Sequence, residues 1–223
     1  MRGGSRVPET GGVPTVSSVL AFALASVVIV AIPGPSVLFT IGRALSAGRR
    51  AALLTVLGNA GGILTQIVAI AVGLGPVVAS STAVYTGLKL VGAGYLVWLG
   101  VQSIRNRKAF AESMAHGLPA APASHAVRAG YVVGVTNPKS LVFFMALLPQ
   151  FVDTARPVAA QLLVLGAVFA VIALVMDGSV ALAAARFREW FASSPRRMER
   201  VGGTGGLMMV GLGAGLLVTG RPD

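Results

Sequence analysis

The stretch Pro33-Gly34-Pro35-Ser36-Val37-Leu38-Phe39 lies inside residues 10–42, a run without a charged side chain. Two prolines and a glycine within three residues interrupt a helix. Proline lacks a backbone donor and its ring collides with the preceding turn, while glycine accepts almost any backbone angle. The phrase returns in the second half as Asn137-Pro138-Lys139-Ser140-Leu141-Val142-Phe143. A second echo follows each: Lys89-Leu90-x-Gly92-x-Gly94-x-Leu96-x-x-Leu99-Gly100 is matched by Arg200-Val201-x-Gly203-x-Gly205-x-Leu207-x-x-Val210-Gly211. The offset is 104 residues for the first pair and 111 for the second, so a short insertion separates them. Helix breaks at matching positions of two hydrophobic halves point to an internal repeat with a solute site at mid-membrane.

The surroundings agree. Of 223 residues, 55% are hydrophobic and 11% charged, and the mean hydropathy is +0.81. A soluble domain carries roughly 25% charged residues. Residues 10–42, 51–88, 157–176 and 201–220 hold no charge, and runs of about 20 apolar residues are long enough to cross a bilayer as helices. The expected fold is all-α and membrane-integral, with spans at roughly 17–42, 51–75, 82–104, 128–150, 157–184 and 201–220. Residues 1–15 read as a disordered leader and 16–220 as one six-span domain, with repeats at about 16–108 and 126–220. The apolar run from Val16 is too long for a signal core and lacks a small-residue cleavage site, so it is expected to stay as the first span.

The net charge of +11 has two possible sources, nucleic-acid binding or the basic loops that orient membrane spans. The basic residues fall in short loops without interleaved aromatics, which excludes nucleic acid and leaves the bilayer as partner. Twelve basic residues (Arg43, Arg49, Arg50, Arg105, Arg107, Lys108, Arg128, Arg186, Arg188, Arg196, Arg197 and Arg200) lie on one side, against Arg2, Arg6, Arg156 and Arg221 on the other. The basic side is expected in the cytoplasm, with both termini outside. Three spans per half then make the halves an inverted 3+3 repeat. Glycines four apart (Gly58/Gly62, Gly130/Gly134, Gly202/Gly206, Gly211/Gly215) let helices approach closely, and are expected to serve internal packing. Whether the protein works alone or as a homodimer stays open.

At the first break Gly34 suits the cap and Pro35 the first helical position; at the second, Asn137 is a good N-cap and Pro138 fits next. That register differs by one residue from the Ser36/Ser140 alignment. Two half-helix N-termini facing the middle would offer free amides and dipole ends to an anion such as a carboxylate. The candidate substrate-binding residues are therefore Pro33, Gly34, Pro35, Ser36, Asn137, Pro138, Lys139 and Ser140.

Only Lys89, Lys139 and Asp177 carry charge within the spans. Lys89, near the outer end of its span, reaches the interface. Lys139 and Asp177 lie at similar depth, roughly 16 and 13 Å from the basic side. A charge unpaired in lipid costs at least about 3 kcal/mol, so both should face the interior. Either they form an ion pair that fixes packing, or they bind a zwitterion or carry a proton. Asp177 is the only carboxylate in the spans, so coupling through a side-chain acid has to use it. Asn59, Thr65, Gln66, Tyr95, Tyr131 and Gln150 could line a polar path or bond to a neighbouring helix. His116 and His125 sit in the long loop and cysteine is absent, so no catalytic residue, metal site or cofactor is expected.

Pro33-Gly34-Pro35, Gly94-Tyr95-Leu96-x-Trp98-Leu99-Gly100, Asn137-Pro138-Lys139-x-x-x-Phe143-Phe144 and Pro149-Gln150-Phe151, in this order, resemble the LysE/RhtB family of amino-acid exporters of bacterial inner membranes. The likeness runs from about Val16 to Val218 and includes Asp177. It implies proton-driven secondary export of amino acids or close metabolites, and no enzyme activity. Two other readings of the architecture remain: a metal-ion exporter, which calls for more membrane acids, histidines or cysteines, and a scaffold subunit that moves nothing.

Overall fold

The computed structural model describes residues 13–80, 82–115 and 123–218, and every regular element among them is helical. Most of the expected leader lies outside the described residues; Thr15 caps α1 (Val16–Ala31) by accepting from the Ser18 amide. The chain breaks at Ile32–Gly34 and resumes as α2 (Pro35–Ser80). It continues through α3 (Thr82–Arg105), α4 (Arg107–Ala115), α5 (Ala123–Val135), α6 (Pro138–Ala146), a 3-10 turn (Leu148–Phe151), α7 (Val158–Arg186), α8 (Arg188–Ala192) and α9 (Pro195–Val218). Both expected breaks are present.

Some boundaries differ from expectation. The basic segment 43–50 is not an open loop: helix continues on either side of Gly48, whose φ of 80° and ψ of −178° only glycine adopts freely. Val37, Ile41 and Ala44 before it share an apolar cluster with Ala52 and Val56 after it, so the chain turns back on itself there. The segment between the halves starts a helix by Ala123, and the last helix starts at Pro195, ahead of the expected 128 and 201. His116, Pro119 and Pro122 lie outside the described residues.

Among the described residues, Pro35–Gly73, Ser124–Phe151 and Val158–Arg186 are long and apolar enough to cross a bilayer, and Val16–Ala31 is a shorter apolar helix. α3 and α9 are not in that group. The outer faces are apolar: Leu20, Leu24, Val72, Val91, Val171, Val175 and Leu207 are all exposed. Such a surface belongs in lipid. The protein is a helical membrane protein.

Close approaches give the relative directions of the helices. On α2, a Cβ at Gly58 would meet the Tyr131 amide at 2.8 Å and one at Gly62 would meet the Gly134 carbonyl carbon at 2.8 Å, so α2 and α5 run parallel. Gly130 and Gly134 return the contact against Thr55 and Asn59. On α7, Gly166 lies against Ile67 and Asp177 against Asn59, which makes α7 antiparallel to this part of α2. Gly206 meets Gly100 and Gly213 meets Ala93, so α3 and α9, the carriers of the second echo, are antiparallel. The first three glycine pairs thus serve internal packing, as expected. Gly211 and Gly215 do not, because nothing lies within 4 Å of a Cβ there. The Lys89 side chain lies outside the described residues.

The two larger apolar clusters divide the bundle, and a small third one (Ala93, Leu96, Val142, Ala146) joins α3 to α6. One of the larger two gathers Phe22, Ile29, Ile63, Phe143, Phe144, Leu162, Phe169 and Met209. The other gathers Val37, Ala44, Ala52, Val56, Ala181, Ala184 and Met198. Three of the segments that pass from one cluster to the other carry a polar residue or a break at the crossing: Gly34–Ser36, Asn59 between Val56 and Ile63, and Asp177 between Ala173 and Ala181.

Candidate functional site

The crossing layer is built around the two breaks. Leu38 donates its amide to the Gly34 carbonyl at 3.0 Å and Leu141 to that of Asn137 at 3.1 Å, so Gly34 and Asn137 are the caps. Pro35 and Pro138 each open a helix, where a missing N–H costs nothing. The helix starts therefore match at the prolines, one residue out of step with the Ser36/Ser140 similarity. Asn137 fills its cap by accepting from the Lys139 amide at 3.1 Å. Its side-chain amide donates to Ser36 Oγ at 3.2 Å, which ties one break to the other.

Each break exposes backbone carbonyls that distant side chains reach, and of these Ile32 O and Val135 O have no backbone donor among the described residues. At the end of α1, Lys139 Nζ donates to Ile29 O at 3.0 Å and Ile32 O at 2.7 Å. A cation at a helix C-terminus also opposes the negative end of its dipole. The lysine stem crosses Gly34, where a Cβ would meet Cδ and Cε at 3.1 Å. At the end of α5, Gln66 Nε2 donates to Val135 O at 3.0 Å and Asn137 O at 3.1 Å. Ser140 Oγ donates to Gln66 Oε1 at 2.8 Å and holds that amide in place. Pro33 backs onto Gly205 of α9, whose Cβ position its carbonyl occupies.

Lys139 and Asp177 do not form the ion pair that was one of the two expectations. Lys139 is spent on α1, and Asp177 Oδ2 instead accepts from Asn59 Nδ2 at 3.3 Å. Both charged groups are buried. Asn59 Oδ1 and Thr40 Oγ1 are buried without any hydrogen-bond partner. Unpaired buried polar atoms are rare and ask for an explanation. The Ser36 and Val37 amides of α2 likewise make no bond among the described residues.

Most other polar candidates are satisfied locally. Thr65 Oγ1 and Tyr131 Oη bond at 3.1 Å, and Gln150 donates to Ala146 O at 2.9 Å. Tyr95 stacks on Trp98 at 5.3 Å. Sequence reasoning passed over Thr40 and Gln161; the latter is fully buried and clamps the Asp153 backbone through bonds of 2.8 and 3.0 Å. A lone threonine or glutamine on an apolar helix carries no signal of its neighbours.

Replacing Lys139 with methionine tests the strap on α1. The change relieves a buried charge that costs about 3 kcal/mol at mid-membrane. It also leaves the Ile32 carbonyl without a donor and Ile29 O with only the Ile32 amide at 3.3 Å, a loss of about 1–3 kcal/mol. The terms largely cancel, so global stability should change little. The local effect is larger: hydrogen exchange across residues 28–38 should accelerate about tenfold. Unchanged exchange there would show that the ammonium does not hold the break.

A family model described as LysE type translocator matches residues 27–220. An uncharacterized membrane protein of Vibrio cholerae is 39% identical over 204 residues, 91% of this chain and 97% of its own. A homoserine/homoserine lactone efflux protein of Salmonella typhimurium is 32% identical over 206 residues, 90% of this chain and 96% of its own. A leucine efflux protein of an Enterobacter species is 26% identical over 193 residues, 84% of this chain and 89% of its own. No solved structure matches the chain.

Proposed function

We propose that this chain, which belongs to the LysE type translocator family, is a secondary transporter that exports amino acids or close derivatives across the bacterial plasma membrane. The observation that carries the reading is a buried polar layer, set between two apolar clusters, with bonding capacity left over at Asn59 Oδ1, Thr40 Oγ1 and the two free amides of α2. An amino acid complements it. Its ammonium donates to Asp177 and the orphaned Asn59 Oδ1, and its carboxylate accepts from the Ser36 and Val37 amides at the positive end of α2. Lys139, Asn137, Pro138, Ser140, Pro33, Gly34 and Pro35 shape the breaks around that place.

The chain crosses the membrane six times, as two three-helix repeats of opposite orientation. The parallel α2–α5 contact and the antiparallel α2–α7 and α3–α9 contacts support this, since six alternating passes require each of them. The arginine-rich ends of α3, α7 and α9 face the cytoplasm and both termini lie outside. Protons drive export through Asp177, the membrane carboxylate, by alternating exposure of the layer. The reading makes the protein a carrier and not an enzyme.

The test is efflux. Full-length protein in vesicles loaded with homoserine, threonine, leucine or other single amino acids should release at least one of them faster than empty-membrane controls when a proton gradient is applied. Release no faster than controls across a full amino-acid panel would reject the reading.

A further inference from the structure

Two cavities meet at the arginine-rich end of the bundle, and Arg107 is the wall between them. One, of about 410 Å³, is lined by Arg107, Arg196, Arg200 and Glu199. The other, of about 360 Å³, runs inward between α2, α3 and α9 past Leu38, Phe39, Leu99 and Met209 to Pro35. The first is charged and the second almost wholly apolar.

Arg107 is fixed where it divides them. Its Nη1 donates to Ile104 O at 2.7 Å. Its stem lies on adjacent glycines of α9, where a Cβ at Gly202 would meet Arg107 Cβ at 3.7 Å and one at Gly203 would meet its Cδ at 3.4 Å. Ser103 Oγ, bonded to Gly202 O at 2.9 Å, locks the two helices at this point. Arg196 and Arg200 have no partner among the described residues, and Glu199 forms no ion pair with any of the three arginines. Three guanidinium groups around one unengaged carboxylate leave the cavity strongly positive.

We propose that the junction of α3, α4 and α9 binds an anionic phospholipid, its phosphate among Arg107, Arg196 and Arg200 and one acyl chain in the apolar crevice that ends at Pro35. Guanidinium groups take phosphate oxygens through paired, charge-assisted hydrogen bonds. Basic pockets between membrane helices suit lipid headgroups, and an adjoining apolar slot is what a free anion has no use for. The tail lies between the first part of α2 and the α3–α9 pair, against the residue that opens α2 after the break. The crevice adjoins the polar layer at Pro35, but the lipid assignment rests on the arginines and the apolar slot alone, so it stands whether or not the chain exports amino acids.

Purified full-length protein is equilibrated with vesicles of equal parts phosphatidylcholine and phosphatidylglycerol, and the retained lipid is counted by native mass spectrometry. The wild type should prefer phosphatidylglycerol by about tenfold or more. The Arg107→Gln/Arg196→Gln/Arg200→Gln variant should lose that preference, and the exposed Arg196→Gln alone, a change with no packing cost, should weaken it. Leu38→Trp, which fills the crevice, should weaken phosphatidylglycerol retention without touching the arginines. Inorganic phosphate is the second arm. If phosphate displaces the lipid completely and Leu38→Trp changes nothing, the pocket takes a free anion and the lipid assignment falls. Equal retention of the two lipids by the wild type, or an unchanged preference in the triple variant, also overturns it.

Discussion

Asp177→Asn is expected to abolish gradient-driven export while the protein accumulates in the membrane at its usual level. The reason lies in what surrounds the carboxylate. Asn59 offers Asp177 one donor at 3.3 Å and keeps a buried, unpartnered Oδ1 beside it. An asparagine at 177 can accept from that donor and give its own amide hydrogen to Oδ1, so both groups are satisfied. Removing a charge from mid-membrane also lowers a cost of about 3 kcal/mol. The thermal midpoint in detergent should therefore hold or rise. On the proposed mechanism, what disappears with the Asp177 carboxylate is both the proton carrier and the charged partner for an ammonium. A charged hydrogen bond is worth about 1.5–3 kcal/mol, so apparent affinity should fall by about 10- to 100-fold even where some passive exchange survives. Wild-type release from vesicles under a proton gradient would remove Asp177 from the mechanism.

Gly134→Leu should have the largest effect on folding. A Cβ at this position would meet Asn59 Cα at 2.9 Å and its carbonyl carbon at 3.0 Å, and these are backbone atoms that have no rotamer to change. Ordinary overpacking costs about 1–3 kcal/mol because side chains give way. Here α2 and α5 have to separate along their whole glycine-lined contact, and Asn59 is carried away from Asp177. The expected outcome is a protein that fails to accumulate in the membrane, read by quantitative blotting of membrane fractions. Gly211→Leu is the matched control: with open space around its Cβ, it should accumulate like the wild type. Normal accumulation of both variants would mean that α2 and α5 do not touch through their backbones.

The breaks were legible because they rest on local chemistry. Pro33-Gly34-Pro35 cannot continue a helix, and Asn137-Pro138 is a cap followed by a first-turn proline wherever it occurs. The side-chain partners were not legible. Counting residues from the basic ends gave Lys139 and Asp177 similar depths, but depth along a helix does not say which way around it a side chain points. Lys139 points at the end of α1 and Asp177 at Asn59. The arginines at 43, 49 and 50 suggested a loop, yet the alanine-rich segment keeps helix up to a single glycine on either side. Four-residue glycine spacing marked true contacts at Gly58/Gly62 and Gly130/Gly134 and marked nothing at Gly211/Gly215, because spacing alone does not identify the facing helix.

The two interrupted helices borrow their terminal donors from distant parts of the chain. Lys139 serves α1 from 107 residues downstream of Ile32, and Gln66 serves α5 from 69 residues upstream of Val135. During synthesis the second joint finds its donor already made, whereas the first has to wait. Until the lysine emerges, the Ile32 carbonyl can be satisfied only by water or by a straighter, temporary path of the backbone. The mature elbow in the opening segment is thus a late event of biogenesis, and a chain truncated before residue 139 lacks the means to hold it.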